Sequence, residues 1–517
     1  MHFHYGAMEI FTALEDVQNI MNAERKIVDI LRMLVLQSDK PRRAAINSYI
    51  NKSKDIFESP DADPEHIVSH PLNSFRLVKH FSSGWENLRK HLEHDAGQAT
   101  LIKIEKLRRQ ARFPETDAIA GAAQGFLRLQ RTYRIRTEDF AAGNLPGITK
   151  ASALSAVDCY LVGHQQLLDG IYDYAASWLE IALQKWPKEK RDPLSSIQKS
   201  DILNSLQLSY YHLGNVWMAL ELCKTIREVD PFYPNITAKI LTYQALLDGT
   251  TKWSVNAMKL QTRPPPVRVD NGLRGFLCRG EDTSPSGALP HLRCLYETHK
   301  NPYLILQPVK LEVVHVSPDI FILHDVILDS QIERLKKVAA THLQPATLVQ
   351  SGSDKSGVVE TMTRTAKSAF LDEKIDSVIA KINHHIGQMT NLDMEQAEAL
   401  QIASYGIGGH YTTHYDFFRN PTDPDTKHIQ PHLGDRMATV LIYLTDVQAG
   451  GATTFPLINV TLFPQKGSAA FWFNLHRDGT GDLKTLHEGC PVLAGNKWIA
   501  NKWIREVGQW RTRPCLS

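Results

Sequence analysis

Near Ser317 the hydrophobic period of this chain changes, and that change limits the folds open to it more than any other feature. Before it, apolar residues recur every three or four positions, the period of helices packed by one face. After it, a strand-like FILHDVIL and an amphipathic SQIERLKKVAATHL lead into short β-rich runs. These are LQIASYGIGGHYTTHYDFF, RMATVLIYLTDV, ATTFPLINVTLFP, SAAFWFNL and KWIANKWIRE, separated by Gly, Pro and Asp turns. Many short strands without alternating helices point to a jelly-roll or barrel. The pattern predicts an α+β multidomain chain, helical first and β-rich from 317 to 517.

In the helical part, Ile10, Leu14, Val17, Met21, Glu24, Val28, Leu31 and Val35 follow one another in steps of four and three. That is a heptad seam with one polar break, at Glu24. It either pairs with another helix, as in self-association with a second copy, or packs on its own domain. HPLNSFRLVKHFSSGWENLRKHL (70–92) and GAAQGFLRLQRTYRI (121–135) continue the helical pattern, and AAGNLPGI (141–148) reads as a boundary. Next, Gly170, Ala175 and Pro187 recur as Gly214, Ala219 and Pro231, each 44 residues on. A glycine turn, a small residue for close packing and a terminal proline suggest tetratricopeptide-like helix pairs. The usual period is about 34 residues, and the polar insert KEKRDPLSS (188–196) accounts for the surplus. TRPPPVRV (262–269) reads as a stiff linker. Four segments are therefore expected: 1–145 helical, 146–250 tetratricopeptide-like, 251–316 linker with a cysteine loop, and 317–517 β-rich.

Composition narrows the function classes. A net charge of +2 over 517 residues gives no electrostatic reason to expect nucleic acid or an anionic membrane as partner. No run approaches the roughly 18 apolar residues of a membrane span. MHFHYGAMEIF has neither the basic start nor the apolar stretch of a secretory signal, so the chain reads as cytosolic or as lacking its leader. None of the six cysteines forms a C-x-x-C pair, which argues against a dithiol or cysteine–zinc motif. Cys278 and Cys294 flank a Gly/Pro/Ser-rich loop, a spacing suited to a short disulfide, and Cys159 and Cys223 fall at helical positions suited to buried thiols. Sequons at Asn51, Asn235 and Asn459 are compatible with glycosylation.

The chemistry concentrates in TTHYDFF, residues 412–418. On a strand, residues i and i+2 share a face, so His414 and Asp416 aim an imidazole and a carboxylate at one spot. A second histidine from another strand completes the 2-His-1-carboxylate set of non-haem iron(II) oxygenases. His487, at the start of the last strand pair and ten residues before Lys497, is the candidate. A buried 2-oxo acid needs a cation for its far carboxylate. Lys497 suits that role, with Tyr405 as a hydroxyl donor. His410, His428, His432 and His476 read as loop or surface residues.

SYGIGGHYTTHYDFFRN, RMATVLIYLTDVQAGGATTFP and HEGCPVLAGNKWIANKWIRE resemble the collagen prolyl 4-hydroxylase α-subunit family. The likeness extends to HPLNSFRLVKHF, GNLPGI, the repeat segment and LCRGE. It implies a double-stranded β-helix (jelly-roll) oxygenase domain, with iron at His414, Asp416 and His487 and 2-oxoglutarate at Lys497. It implies disulfides Cys278–Cys294 and Cys490–Cys515, and ascorbate as a further cofactor. It also implies an α2β2 tetramer in the endoplasmic reticulum lumen, with protein disulfide isomerase as β subunit and α–α contact through the N-terminal helices. RPCLS is not a KDEL-type tail, so retention would depend on that partner.

Two departures stand out. The family's Leu-His-Glu run is Ile504-Arg505-Glu506 here, so a permanent cation replaces a titrating imidazole beside the cosubstrate. The family's peptide groove is lined with tyrosines onto which a polyproline-II substrate stacks. Here Tyr211 and Tyr243 remain, while Ser205, Leu208, Thr242 and Ala245 stand where rings are expected. The polar stretch 421–432 reads as a lid over the substrate. The resemblance implies hydroxylation of peptidyl proline in X-Pro-Gly sequences, with succinate and carbon dioxide released. Two alternatives stay open: an oxygenase with another target, such as a non-collagen proline motif, and a non-catalytic assembly subunit with a vestigial oxygenase domain.

Overall fold

The structure is a computed structural model and describes residues 14–57, 64–93, 98–189, 192–249, 273–281, 293–346, 364–418 and 432–515. Ile10, the 262–269 linker, most of the loop between Cys278 and Cys294, and most of the expected lid, His428 included, lie outside the described residues. Two compact units divide the chain, Leu14–Asp270 and Asn271–Ser517.

In the first unit the heptad seam turns inward. Val17, Met21, Val28 and Leu31 of the Leu14–Val35 helix are buried, and this helix packs on Lys40–Phe57 and Gln98–Ala111. Glu24 is buried with them, 3.0 Å from His80 Nε2, and accepts the Tyr49 hydroxyl at 3.4 Å. A buried carboxylate persists only with such partners. Of the two outcomes open to the seam, packing on its own domain is the one observed. Apolar positions already covered this way are not free to zip against a second copy.

The repeat forms two helix pairs, Ala156–Leu168 with Tyr172–Lys185 and Lys199–His212 with Val216–Val229, followed by Ile236–Leu247. Gly170 and Gly214 turn the pairs at φ +77° and +84°, where glycine is unstrained. Trp178 is fully buried; its indole donates to Gln130 Oε1 at 2.9 Å, and Phe126 and Phe140 pack around it. The segments on either side of residue 145 thus share a core instead of meeting at a bare linker. No described helix is long and apolar enough to cross a membrane.

The second unit holds fifteen strands among the described residues. They are β1 Cys294–Glu297, β2 Val309–Val316, β3 Asp319–His324, β4 Gln344–Pro345, β5 Lys367–Leu371, β6 Leu400–Tyr405, β7 Tyr411–His414 and β8 Arg436–Tyr443. There follow β9 Ala449–Gly450, β10 Thr453–Phe455, β11 Val460–Leu462, β12 Ala469–Phe473, β13 His487–Gly489, β14 Val492–Ala494 and β15 Lys497–Arg505. A nine-stranded antiparallel sheet runs β1-β2-β3-β12-β8-β15-β6-β5-β4, and a four-stranded one runs β11-β10-β13-β7. One face of the large sheet, including Val440, Ile442, Trp498 and Ala500, packs against the Asp329–Ala340 and Ser377–Thr390 helices. The other, including Tyr405, Leu441, Tyr443 and Ile499, meets Phe455, Val460 and Leu462 of the small sheet. Burial on both faces explains the apolar run in β8, broken only by Thr439 after Met437, and contributes about 1.5–3 kcal/mol per large side chain. This is the double-stranded β-helix that the resemblance implied.

Two expectations are corrected here. The β-rich unit starts before residue 317, because in the supposed 251–316 linker β1 pairs with β2, and β2 pairs with β3. Both are half-exposed, so their apolar alternation is weak. The disulfide also differs: Cys278 bonds Cys490, across 212 residues, with Cα atoms 5.6 Å apart. Cys294, on edge strand β1, and Cys515 are exposed free thiols, so neither Cys278–Cys294 nor Cys490–Cys515 forms. The cause is docking: the Leu273–Cys278 helix packs on β10 and β11, and Thr461 donates to the Leu277 carbonyl at 3.2 Å. Cys159 and Cys223 remain buried free thiols.

Candidate metal centre

The small sheet brings the expected residues together. β7 and β13 pair antiparallel with His414 directly opposite His487, their ring centroids 4.2 Å apart. Asp416, two residues past His414, turns its carboxylate between them: Oδ1 is 3.7 Å from His414 Nε2 and Oδ2 is 3.7 Å from His487 Nε2. All three donor atoms lie within 4.8 Å of one another. Each imidazole has its Nδ1 at a backbone carbonyl, His414 on Thr412 O at 2.8 Å and His487 on Thr485 O at 2.9 Å. Those bonds put the proton on Nδ1 and leave the Nε2 lone pairs facing Asp416, the tautomer a metal requires.

Electrostatics agrees with that tautomer. Burial, joined by the neighbouring His487, pulls His414 down to about 3, so it is neutral at ordinary pH. Burial alone would raise the Asp416 carboxyl. His487, His414, Arg436 and the Thr439 hydroxyl outweigh it and hold Asp416 below the usual carboxylate range. Thr439 donates to Asp416 Oδ2 at 2.7 Å and accepts from Asn474 Nδ2 at 2.9 Å, which orients the carboxylate. A neutral His414 imidazole, the His487 ring opposite it and an ionised Asp416 carboxylate suit a divalent iron.

Lys497 opens β15 opposite Tyr405 and is 3% exposed. Its Nζ is 3.4 Å from Thr453 Oγ1 and 5.8 Å from the Tyr405 and Tyr443 rings, and no carboxylate pairs with it among the described residues. Burial pulls its ammonium down to about 7. An uncompensated cation in this interior calls for an anion.

Arg505 lies at the other end of β15, on the same face. It reaches Glu398 Oε1 at 2.7 Å and the Gly434 carbonyl at 3.0 Å. Glu398 also takes both arms of Arg436, at 2.6 and 2.7 Å, and Arg436 lies 3.8 Å over Trp503. Arg505 is therefore tied into an ion-pair cluster, and its described contacts are protein groups rather than an open cosubstrate position.

Sequence reasoning missed several residues of this interior: Arg364, Glu398, Arg436, Thr439 and Asn474. Arg364 is buried against the Tyr411 ring at 4.7 Å and donates to Gln401 at 3.1 Å. A lone threonine inside RMATVLIYL was a legible signal, since a polar group in a buried strand needs a partner. Arg364 Nε, Asn474 Oδ1, Asn501 Oδ1 and Trp472 Nε1 are buried without hydrogen-bond partners, as befits a cavity built for a polar ligand. His432 and His476 stay outside the cluster, and His410 is not among its donors.

In the helical unit, Tyr211 and Tyr243 stack at 5.1 Å. Tyr243 is buried, with its hydroxyl on Gln207 at 2.8 Å, so it packs the core instead of offering a face to a peptide. Tyr211 keeps partial exposure beside the stacked Tyr172 and His212, 4.3 Å apart. Ser205 is buried and bonded to His164, which stacks on Tyr160.

A double-stranded β-helix carrying this donor set defines a 2-oxoglutarate–Fe(II) oxygenase domain, and residues 400–505 match the 2OG-Fe(II) oxygenase superfamily. Residues 13–147 match the prolyl 4-hydroxylase alpha-subunit N-terminal region, and 156–249 match the prolyl 4-hydroxylase peptide-substrate-binding domain. Chicken prolyl 4-hydroxylase subunit alpha-2 is 34% identical over 99% of this chain and 96% of its own length. The mouse and human alpha-1 subunits are each 34% identical over 98% of this chain and 95% of theirs. The chain belongs to the prolyl 4-hydroxylase α-subunit family. Its oxygenase domain implies Fe(II) and 2-oxoglutarate.

Proposed function

We propose that this chain hydroxylates peptidyl proline at C4, as the catalytic α subunit of a prolyl 4-hydroxylase. The observation that carries the reading is the convergence of His414, Asp416 and His487 beside a buried, carboxylate-free Lys497. His414 and His487 would hold iron through Nε2 and Asp416 through its carboxylate, leaving the rest of the coordination sphere open. Iron with 2-oxoglutarate and dioxygen supplies the oxidising chemistry, yielding hydroxyproline, succinate and carbon dioxide. Thr412 and Thr485 fix the imidazole tautomers, Thr439 and Asn474 orient Asp416, and Lys497 neutralises the cosubstrate's far carboxylate with Tyr405 beside it. Phe455 and Trp472 pack on the His487 side and exclude water there. Arg505 acts through Glu398 and Arg436, keeping the end of β15 in place.

Within this reading 1–145 serves dimerisation, 146–250 binds a proline-rich, procollagen-like peptide on the Tyr211 face, and 317–517 is catalytic. Because the heptad seam is buried, α–α contact would use another surface of the N-terminal helices. The family likeness supports protein disulfide isomerase as β subunit of an α2β2 tetramer, ascorbate as cofactor, and the endoplasmic reticulum lumen. Asn51, Asn235 and Asn459 are all exposed, as glycosylation there requires. The ring-poor groove favours a second reading, a proline motif other than collagen's. Co-expression with the isomerase, followed by mass spectrometry of (Pro-Pro-Gly)n and a mixed proline-peptide library, tests both. Oxygen added to proline with matching succinate is expected; turnover on lysine alone, or none with iron and 2-oxoglutarate bound, overturns the proposal.

A further inference from the structure

Beside Tyr211 a lysine fixes which way two polar side chains face. Along the Lys199–His212 helix, Asp201, Asn204, Leu208 and Tyr211 form one stripe that stays half-buried, while Ile202, Leu203, Leu206 and Gln207 are buried. Lys239, on the Ile236–Leu247 helix, places Nζ 2.7 Å from the Asn204 amide. An ammonium only donates, so the atom it meets is Oδ1. The same Oδ1 lies 3.2 Å from Gln207, which must therefore present Nε2 to it. That leaves Gln207 Oε1 for the Tyr243 hydroxyl, at 2.8 Å, and burial keeps that hydroxyl protonated by raising its pKa. Asn204 Nδ2 is then turned away from all three partners, its two N–H groups bonded to no described residue and open to solvent. Lys239 is half-buried, pairs with no carboxylate among the described residues, and keeps two N–H groups beyond the one given to Asn204. Asp201, the carboxylate of the stripe, is occupied by Gln198 N at 2.8 Å and the Tyr233 hydroxyl at 3.3 Å.

A proline-rich chain offers the opposite inventory. Proline lacks the N–H, and polyproline II makes no internal hydrogen bonds, so its carbonyls are acceptors in search of donors. The spacing agrees. Asn204 and Tyr211 are seven residues apart, which is about 10 Å along a helix axis, and one polyproline-II turn advances about 9 Å. A peptide lying along this helix meets the Tyr211 ring and, one turn on, the Asn204 amide. We propose that Asn204 and Lys239 are specificity-determining residues of the peptide groove, donating to backbone carbonyls of a polyproline-II substrate about one turn from the proline that stacks on Tyr211. Resting on the peptide-hydroxylase reading, this assignment deepens it: carbonyls are common to every proline motif, so the pair selects the extended conformation and leaves side-chain choice to the ring.

Fluorescence anisotropy tests it on the full chain, without iron or cosubstrate, using labelled (Pro-Pro-Gly)n and a (Pro-Asp-Gly)n counterpart. Asn204→Asp keeps the oxygen that accepts Lys239 and Gln207 and removes only the outward N–H groups. It should bind (Pro-Pro-Gly)n about tenfold more weakly, the worth of one or two hydrogen bonds, while its Tm holds or rises. Lys239→Met, which frees the Asn204 amide as well as losing the ammonium, should weaken binding at least as much. Affinity within twofold of wild type in Asn204→Asp, or no binding of (Pro-Pro-Gly)n by the wild-type chain, overturns the assignment. Tenfold tighter binding of (Pro-Asp-Gly)n that Lys239→Met abolishes would give the pair to a side-chain carboxylate and overturns it too. Succinate release with proline peptides is read separately. An inactive chain whose peptide binding still falls in Asn204→Asp defeats the activity alone, and an active chain whose binding ignores that change defeats the assignment alone.

Discussion

Lys497→Met should make the unliganded protein more stable and its cosubstrate binding much worse. Burial lowers the ammonium from 10.5 to about 7, and at about 1.4 kcal/mol per unit this opposes folding by about 5 kcal/mol. The sign follows from linkage. Between pH 7 and 10.5 the unfolded chain holds this proton and the folded one does not, so stability rises with pH across that window. Below pH 7 both states are charged and the whole penalty is present. Methionine has similar length and no charge, so at pH 6.5 the empty variant should melt about 10–20 °C higher, at about 2–4 °C per kcal/mol. Binding moves the other way. Without the ammonium, the cosubstrate's carboxylate is buried unpaired, which costs about 3–5 kcal/mol and raises its KM at least a hundredfold. In the wild-type protein only the protonated lysine serves, so that KM should climb about tenfold per pH unit above 7. Thermal unfolding without cosubstrate and succinate release against 2-oxoglutarate measure the two halves. A lower Tm, or a KM within twofold of wild type, would refute the assignment of Lys497 as the anion's anchor.

Asp416→Ala removes one donor of three, so succinate release should fall further than the roughly 10–100-fold typical of outer partners, with circular dichroism unchanged. Thr439→Val deletes the hydroxyl on Asp416 while keeping shape; Fe(II) titration should show about 10–100-fold weaker binding, and unaltered affinity would remove Thr439 from the site. Glu398→Gln leaves Arg436 and Arg505 sharing no carboxylate, and denaturant unfolding should register a loss of about 3 kcal/mol. Non-reducing digestion should yield a Cys278–Cys490 cross-linked peptide with Cys294 and Cys515 open to alkylation; a Cys278–Cys294 peptide would contradict the docking of the Leu273–Cys278 helix.

Much of the architecture was legible because its signals are local. Gly170 and Gly214 mark turns that need positive φ, and two-residue alternation in TTHYDFF set His414 and Asp416 side by side. The heptad at Val17–Leu31 correctly announced a helix but left its partner open, because an apolar stripe does not say what will cover it. Glu24 held a clue: a charge in a buried seam needs its own cation or donor, which His80 and Tyr49 provide. Cys278 was misassigned because proximity along the chain stood in for proximity in space. Arg505 looked like a cosubstrate residue by position in its motif. Only the fold shows that Glu398, 107 positions earlier, already engages it.

Residue order alone settled which groups exist to do chemistry, and which period each stretch follows, since both depend on neighbours a turn or a pleat away. Tertiary structure decided the rest. It chose the histidine that faces His414, the thiol that meets Cys278, the surface that covers the first helix, and whether a cation meets a carboxylate or waits for one. Those outcomes belong to contacts between residues far apart, and burial of whole faces, which no short window contains, selects among them.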